Sequence, residues 1–324
     1  MSSTLYYATP SKYVAGRFES HEFQFVDAAL QYGRVDVSEG YDSVTTARMA
    51  YRESNEHIAG LAISEPHSSA DDFLLLLSGR GQPLLFLPGF KTNFLKAILQ
   101  AFCFKRAAKH TGPLVVFSWP SGETLTDYEG ALARLRACVG PVRGLMALMQ
   151  ALGFPLFAGG YSMGGRLLAE AVPPVLQPME RAHRLLYAAA DILQDRLAQL
   201  VESQPHNDTV IMNLLLGSKQ DGALRSSKRA HTWFLWGDGG GSRAGDISVS
   251  WCLHLGDTVD CTGASSTGKR HNYLLRSGNV SRLLEDYYNG RSYHGWVPKQ
   301  LGVIFRKTNN AGPSRCHDCL VLSD

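Results

Sequence analysis

The spacing of hydrophobic and polar residues changes near residue 80. Before that point the two kinds of position alternate, as in residues 32–37, with the period of two typical of half-buried strands. From Gln82 onward, short continuous apolar runs alternate with longer amphipathic stretches. This alternation predicts an α/β core with a mostly parallel central sheet and helices on both faces. We therefore predict an N-terminal strand-rich extension packed on the core (1–79), the core itself (80–290) and a C-terminal tail (291–324).

Apolar runs bounded by Pro, Gly or Asp predict the core strands. These runs lie at residues 83–89, 113–119, 154–160, 184–190, 232–236 and 257–261. Helical periodicity predicts helices at residues 93–109, 123–152, 162–171, 192–201 and 280–288. Pro141 is expected to break the second of these into two pieces, because proline lacks the donor that a helix interior uses. Residues 217–230, rich in Ser, Lys, Asp and Gly, are interpreted as a surface crossover.

One pentapeptide has the spacing of a nucleophile elbow. Gly160-Tyr161-Ser162-Met163-Gly164 follows a predicted strand and begins a predicted helix. In that setting G-x-S-x-G presents a serine on a sharp turn, where the glycines avoid Cβ clashes. We predict that Ser162 is a catalytic nucleophile. The alternative is that Ser162 only caps the helix.

Stabilisation of an oxyanion requires two backbone donors close to the nucleophile. The N–H group of Met163, directly after the serine, is the first candidate. The second is expected in the turn after the first core strand, from Phe90 or Gly89. Taken alone, Pro88-Gly89 would indicate only a turn.

The base and the acid are predicted from the chain order Ser, acid, His that accompanies this elbow. His271 lies between the last predicted strand and the last predicted helix, where the base is expected. His254 competes with it, but its leucine neighbours favour a packed position. Asp238 ends the strand predicted at 232–236 and is the preferred acid. Asp191, which ends the preceding predicted strand, is the alternative acid, and either aspartate could instead cap a helix.

Composition restricts the class of partner. The chain has 44% hydrophobic and 19% charged residues and a formal net charge of +3, which is too weakly basic to indicate nucleic acid. No apolar run approaches the roughly 20 residues of a transmembrane helix, and the N-terminus lacks the pattern of a secretion signal. We expect a cytoplasmic protein with reduced thiols that acts on a small-molecule acyl or ester substrate without a cofactor.

A second motif lies near the C-terminus. Cys316 and Cys319 have the C-x-x-C spacing of half a zinc site or of a redox pair. A structural zinc site needs four ligands, and the sequence contains no second C-x-x-C. We favour a flexible tail with reduced thiols, and predict no metal site.

Four stretches resemble a family of bacterial α/β-hydrolases catalogued as a domain of unknown function. They are residues 5–9, 32–38, 116–121 (Val-Phe-Ser-Trp-Pro-Ser) and 160–164, and the third is the most specific. The resemblance extends from the N-terminus to about residue 288. It implies an α/β-hydrolase fold of which the early strands are a regular part, and a serine-hydrolase triad carried over to Ser162, Asp238 and His271.

The chain departs from that family at three places. Pro88 and Tyr161 stand where the family usually has histidine, and neither position supplies the nucleophile. The loop at residues 238–242, Asp-Gly-Gly-Gly-Ser, replaces a more ordinary turn and weakens the prediction for Asp238 more than that for Ser162.

The sequence leaves two functional hypotheses. The first is hydrolysis of a carboxylic ester or related acyl bond through an acyl-enzyme on Ser162. The second is a non-catalytic binding or assembly protein built on the same fold, because one fold hosts unrelated functions.

Overall fold

The computed structural model describes a large part of the 324-residue chain. The described residues are 3–14, 17–18, 30–38, 61–64, 66–67, 69–122, 124–205, 209–218, 220–233, 241–246, 256–264, 271, 273–275, 277–293 and 304–306. Four residues discussed above, Asp238, His254, Cys316 and Cys319, lie outside this part of the chain.

The described strands are numbered in chain order. They are β1 Ser3–Thr9, β2 Tyr13–Val14, β3 Arg17–Phe18, β4 Gln31–Val37, β5 Leu61–Ile63, β6 Leu84–Leu87, β7 Leu114–Phe117, β8 Phe157–Tyr161, β9 His183–Ala188, β10 Ile211–Gly217, β11 Gly256–Asp260 and β12 Ile304–Arg306.

The described α-helices are numbered in the same way. They are α1 Ala70–Leu77, α2 Phe94–Ala107, α3 Tyr128–Gln150, α4 Met163–Ala171, α5 Gln194–Glu202, α6 Gly222–Trp233 and α7 Gly278–Tyr288. None of the helices in the described ranges combines the length and apolarity needed to cross a bilayer.

Ten of these strands form one sheet, in the order β12-β11-β10-β9-β8-β6-β7-β1-β4-β5. Neighbouring strands from β11 to β1 run parallel, and antiparallel pairs complete both edges. The mostly parallel sheet predicted from the apolar runs is therefore confirmed. Because the central strands are parallel, their carboxyl ends meet at one edge of the sheet.

The early strands are part of this sheet. β1 pairs along its whole length with β4 and runs parallel to β7, which carries one of the core runs. Its apolar side chains enter both layers, with Leu5 and Tyr7 on one face and Tyr6 and Ala8 on the other. β1 therefore contributes a buried central strand to the core.

Two hydrophobic layers cover the sheet, because side chains of one strand alternate between its faces. In β6, Leu84 and Phe86 enter the layer beneath α2 and α7, while Leu85 and Leu87 enter the layer beneath α1, α3, α4 and α5. All four side chains are fully buried. Burial on both faces explains why these strands appear in the sequence as continuous apolar runs.

The expected break at Pro141 is wrong, because α3 is one continuous helix with that proline inside it. Buried side chains on both sides of the proline, Leu135 and Cys138 before it and Val142 and Leu145 after it, keep the helix against the sheet. Tertiary packing of one apolar face thus outweighs the lost hydrogen bond.

The region after residue 205 also differs from the prediction. The apolar run at 211–217 forms β10, a central strand that the sequence interpretation missed. Residues 222–230 of the predicted crossover and the start of the strand predicted at 232–236 belong instead to α6, and Gly217 is the last residue of β10. Residues 234–236 lie outside the described residues. Helical spacing over 222–233 outweighs the short apolar run that suggested a strand.

Candidate active site

The predicted site residues that the structure describes lie at the carboxyl edge of the parallel strands. Ser162 follows β8, Gly89 and Phe90 follow β6, and Asp191 follows β9. His271 lies on the chain between β11 and α7. This edge is where ligands bind in open α/β sheets.

Ser162 occupies a sharp turn between β8 and α4. Its backbone has φ 56° and ψ −122°, a positive φ that residues other than glycine rarely adopt. Its amide donates to the carbonyl of Ala188, at the end of the neighbouring strand, and its carbonyl accepts from the amide of Asp191. The side chain makes no capping hydrogen bond to α4. The backbone is that of a strained strand-to-helix turn, and the geometry does not favour the helix-cap alternative.

Glycines allow the turn to close against its surroundings. A Cβ on Gly164 would lie 2.1 Å from the carbonyl oxygen of Leu87, and one on Gly160 would lie 2.5 Å from the carbonyl oxygen of Gly164. These obstacles are backbone atoms that cannot rotate away. The flanking glycines of the pentapeptide are therefore required by the close approach of α4 to the ends of β6 and β8.

The turn after β6 lies directly against the turn between β8 and α4 that carries Ser162, the predicted nucleophile (the nucleophile turn). A Cβ on Gly89 would be 3.0 Å from the Cβ of Ser162. The ring of the next residue, Phe90, packs edge-to-face against Tyr128 with centroids 5.3 Å apart. Met163 begins α4, so its amide belongs to the first turn, where N–H groups have no partner within the helix.

The segment after β7 holds the turn after β6 in place. The indole Nε1 of Trp119 donates to the carbonyl of Pro88 at 2.8 Å. The hydroxyl of Ser121 accepts from the amide of Thr92 at 2.8 Å and donates to the carbonyl of Thr92 at 2.9 Å. Trp119 and Ser121 are each 1% exposed. The Ser-Trp-Pro-Ser stretch singled out in the sequence thus fixes both ends of the turn that contains Gly89 and Phe90.

His271 is paired with an aspartate that the sequence interpretation did not consider. Its Nδ1 lies 2.6 Å from Oδ2 of Asp221, 50 residues away along the chain. The side chain of Asp221 is fully buried, and that of His271 is 14% exposed. A carboxylate can only accept, so Nδ1 carries the proton and Nε2 of a neutral ring is left as an acceptor. That is the form of histidine required of a general base.

Asp221 is held at the start of α6 by its other carboxylate oxygen. Oδ1 accepts from the amides of Ala223 and Leu224, both at 3.0 Å. Asp221 is thus the N-cap of α6 and the partner of His271 at once. Its negative charge, together with burial, raises the pKa of the nearby Asp246 carboxyl, burial being the larger cause.

The position of His271 is fixed from both sides. The hydroxyl of Tyr161, the residue before Ser162, donates to the His271 carbonyl at 3.2 Å, and the two rings lie 5.1 Å apart. Two residues after the histidine, the buried hydroxyl of Tyr273 donates to the carbonyl of Leu216 in β10 at 2.9 Å. These contacts bring His271 beside the nucleophile turn and beside the strand that leads to Asp221.

Asp191, the alternative acid, lies in a separate buried cluster. Its carboxylate accepts from the hydroxyl of Tyr128 at 2.6 Å and from that of Ser227 at 2.8 and 3.0 Å, and it lies 3.4 Å from Nε of Arg243. Burial and the Asp191 charge raise the pKa of Tyr128. The fully buried Arg243 is paired with this carboxylate, so Asp191 neutralises an internal cation.

Segment 241–246, which carries that arginine, is hydrogen-bonded across two strand ends. Ala244 and Gly245 donate to the carbonyls of Ile192 and Ala190, and the amide of Ser218 donates to the carbonyl of Gly245. Through these backbone hydrogen bonds, the segment that pairs with Asp191 holds the loops after β9 and β10 in place.

The structure thus brings Ser162, Gly89 and His271 to one edge, pairs the histidine with Asp221 and leaves Asp191 with Arg243. Asp238 lies outside the described residues. Asp221 was missed because β10 was missed. The signal that could have found it is the run Ile-Met-Asn-Leu-Leu-Leu-Gly at residues 211–217, after which Asp221 is the first acid.

Comparison with known proteins agrees with this architecture. A family model described as "Alpha/beta hydrolase of unknown function (DUF900)" matches residues 74–249, more than half of the chain. A search of curated proteins finds no match. The matched range contains the nucleophile turn, the turn after β6 and Asp221, and it ends before His271.

Proposed function

This chain belongs to the α/β-hydrolases of unknown function, and we propose that it is a serine hydrolase that cleaves a carboxylic ester or related acyl bond. Ser162 is the nucleophile, His271 the general base and Asp221 the acid that orients the histidine. Asp221 takes the place in this triad that the sequence interpretation gave to Asp238, with Asp191 as its alternative.

The reaction needs an acceptor for the proton of the Ser162 hydroxyl and a His271 ring held in one orientation. Oγ of Ser162 attacks the carbonyl carbon while its proton passes to Nε2 of His271. The imidazolium that forms is stabilised by Asp221, 2.6 Å from Nδ1. Collapse of the tetrahedral intermediate returns the proton from Nε2 to the leaving alcohol and leaves an acyl group on Ser162. A water molecule, deprotonated by the same nitrogen, then releases the carboxylic acid.

The negative charge of the tetrahedral intermediate requires donors that are in place before the reaction. We assign this role to the amide of Met163 and to an amide of the turn after β6, from Phe90 or Gly89. The positive end of the α4 dipole lies at the same point and favours an anion there. Contact between Gly89 and Ser162 supports this choice.

The proposal is carried by the strained backbone of Ser162 beside the pair that His271 forms with the buried Asp221. Positive φ at a serine is a cost that persists where a site requires the geometry. We expect a fluorophosphonate probe to label the full-length protein covalently, at Ser162, because such probes trap activated serines. Mass spectrometry of the digested adduct would identify the labelled residue.

The matched control is Ser162→Ala, in which labelling should disappear while the circular dichroism spectrum is unchanged. Ser121→Ala removes another buried serine and should leave labelling at Ser162 detectable. Labelling that is absent in the wild-type protein, or that persists in Ser162→Ala, would contradict the proposal and favour a non-catalytic binding role.

Trp119→Phe is expected to lower kcat about tenfold with little change in KM. The substitution removes the hydrogen bond to Pro88 and so loosens the turn that supplies an oxyanion donor, although the turn itself remains. Complete removal of an oxyanion donor typically lowers kcat by about 10²–10³-fold, so the loss of kcat in Trp119→Phe should not exceed about 10³-fold. Steady-state hydrolysis of a nitrophenyl ester would measure both constants. A rise in KM at constant kcat would show that Trp119 affects substrate binding instead.

A further inference from the structure

A cavity of about 250 Å³ opens at the opposite edge of the sheet from the candidate active site. It is lined by residues that precede or begin the parallel strands, among them Gln82 before β6 and Phe157 at the start of β8. Ser162 lies just past the other end of β8, five residues and so about 17 Å further along. A ligand in this cavity would therefore leave the hydrolytic site open.

Three arginines line the cavity: Arg80 shortly before β6, Arg181 just before β9 and Arg184 within β9. No carboxylate is among the described residues of the lining. Glu285 and Asp286, on the helix whose end closes the cavity, are paired with other cations, Glu285 with Lys109 and Arg291, and Asp286 with Arg291. Among the described residues, the lining therefore carries three arginines and no carboxylate, and no ion pair joins these arginines to a described carboxylate.

His110 also lines the cavity but adds no positive charge at neutral pH. Its Nε2 lies 2.8 Å from the carbonyl of Gln82, and burial, the largest cause, holds its pKa below the ordinary value of 6.5. With Nε2 donating to that carbonyl, Nδ1 of the neutral ring is an acceptor. Nδ1 of His110 is thus suited to a hydroxyl donor, and the arginines are suited to an anionic group.

Two of the arginines are held in place before any ligand binds. The Arg184 guanidinium donates through Nη1 to the carbonyl of Tyr287 and lies 5.7 Å from the Phe157 ring and 5.6 Å from the Tyr287 ring. A Cβ on Gly290 would lie 3.2 Å from its Nη2, so a glycine there gives the guanidinium room.

Arg80 is exposed, and its guanidinium makes two contacts with the chain. Its Nε donates to the carbonyl of Leu76 at 2.7 Å, and its guanidinium lies 5.9 Å from the Tyr6 ring. Each of these two arginines uses one nitrogen in hydrogen bonds with the described residues, and so has donors left for a ligand. Restraint of this kind reduces the entropy lost on binding.

We propose that this cavity binds the phosphate group of a small molecule. Several arginine donors lining one cavity from two segments of the chain suit a phosphate, whose oxygens point in tetrahedral directions, better than a planar carboxylate, which one arginine satisfies. A water molecule takes about 30 Å³ in the liquid, so the cavity holds the volume of about eight. That is more than a phosphate group needs, and the remainder accommodates a small organic part with a hydroxyl near His110.

Isothermal titration of the full-length protein with inorganic pyrophosphate, at constant ionic strength, tests the proposal. We expect saturable binding that weakens at least about tenfold in Arg184→Gln, because the substitution removes charge-assisted hydrogen-bond donors to the phosphate. Arg181→Gln, on an exposed loop, should weaken binding in the same direction and does not disturb the contact with Tyr287. Arg136→Gln, an exposed arginine on α3 outside the cavity, is the matched control and should bind within about twofold of wild type.

Hydrolytic activity and fluorophosphonate labelling should be unchanged in all three variants, which keeps this test separate from that of the proposed function. Equal binding by wild type, Arg181→Gln and Arg184→Gln would overturn the site. Tighter binding of citrate than of pyrophosphate under the same conditions would overturn the preference for phosphate. Absence of saturable binding of either anion would overturn both the site and its preference for phosphate.

Discussion

Replacement of Asp221 by asparagine is expected to lower kcat for ester hydrolysis by about 10⁴-fold. Asparagine presents an amide where the carboxylate oxygen Oδ2 meets Nδ1 of His271. The ring then loses the negative charge that stabilises its protonated form, and it can turn to the tautomer that places the proton on Nε2. In that form the histidine cannot accept the proton of Ser162.

This substitution separates catalysis from stability because asparagine caps helices as well as aspartate does. The Asn side-chain oxygen can still accept from the amides of Ala223 and Leu224. We therefore expect the free energy of unfolding of Asp221→Asn in urea to stay within about 1 kcal/mol of wild type. Full activity in Asp221→Asn with the folded state intact would show that Asp221 acts only as a cap.

The other two aspartates provide the comparison. Asp191→Asn removes the charge that neutralises the buried Arg243, so we expect it to lower stability by about 3–5 kcal/mol. Asp238→Asn should leave kcat within about threefold of wild type, because the proposed triad gives Asp238 no role in catalysis. If Asp238→Asn instead caused the loss of activity with folding intact, the original sequence prediction would be correct and Asp221 would be the structural residue.

Gly164→Ala is expected to destabilise the fold by about 3 kcal/mol or more. The added methyl group would lie 2.1 Å from the carbonyl oxygen of Leu87 and 2.5 Å from that of Pro88. Both obstacles are backbone atoms at the end of a central strand, so relief requires α4 to move away from the sheet. Inserted volume in a close-packed interior typically costs 1–3 kcal/mol, and a contact with rigid backbone lies at or beyond the upper end (about 3 kcal/mol). Urea unfolding would measure the loss.

Gly144→Ala is the matched control for this prediction. Gly144 lies on the exposed side of α3, and a Cβ there would have nothing within 4 Å. Alanine should raise stability by about 0.5–1 kcal/mol, because glycine is a poor helix former. The two substitutions add the same methyl group, and we expect them to change the free energy of unfolding in opposite directions. If Gly164→Ala left the free energy of unfolding unchanged, α4 would be able to move away from the sheet without loss of stability.

Local signals were sufficient for the nucleophile turn. A strand, a glycine-flanked serine and a helix are contiguous in residues 157–171, so sequence order alone predicts their spatial arrangement. The parallel sheet was also predictable from local signals, because burial on both faces leaves a continuous apolar run at each central strand. The Ser-Trp-Pro-Ser stretch was recognisable as a motif, but its contact with the turn after β6 was visible only in the structure.

Where local signals conflicted with packing, packing decided. Pro141 is a helix breaker by its chemistry, yet α3 continues because its apolar face is buried on both sides of the proline. Residues 217–230 look like a polar surface connection, yet most of them form a helix whose first turn is capped by Asp221. In both places the balance depended on contacts with distant parts of the chain.

The sequence by itself determined the strand-turn-helix around Ser162, the parallel sheet and the position of His271 after the last central strand. Only the tertiary structure decided which carboxylate meets that histidine. The partner, Asp221, lies 50 residues away along the chain. Asp191 and Asp221 both follow strands of the sheet, and each is a plausible acid by local pattern. The one that pairs with His271 is selected by the order of strands in the sheet, and that order results from long-range packing.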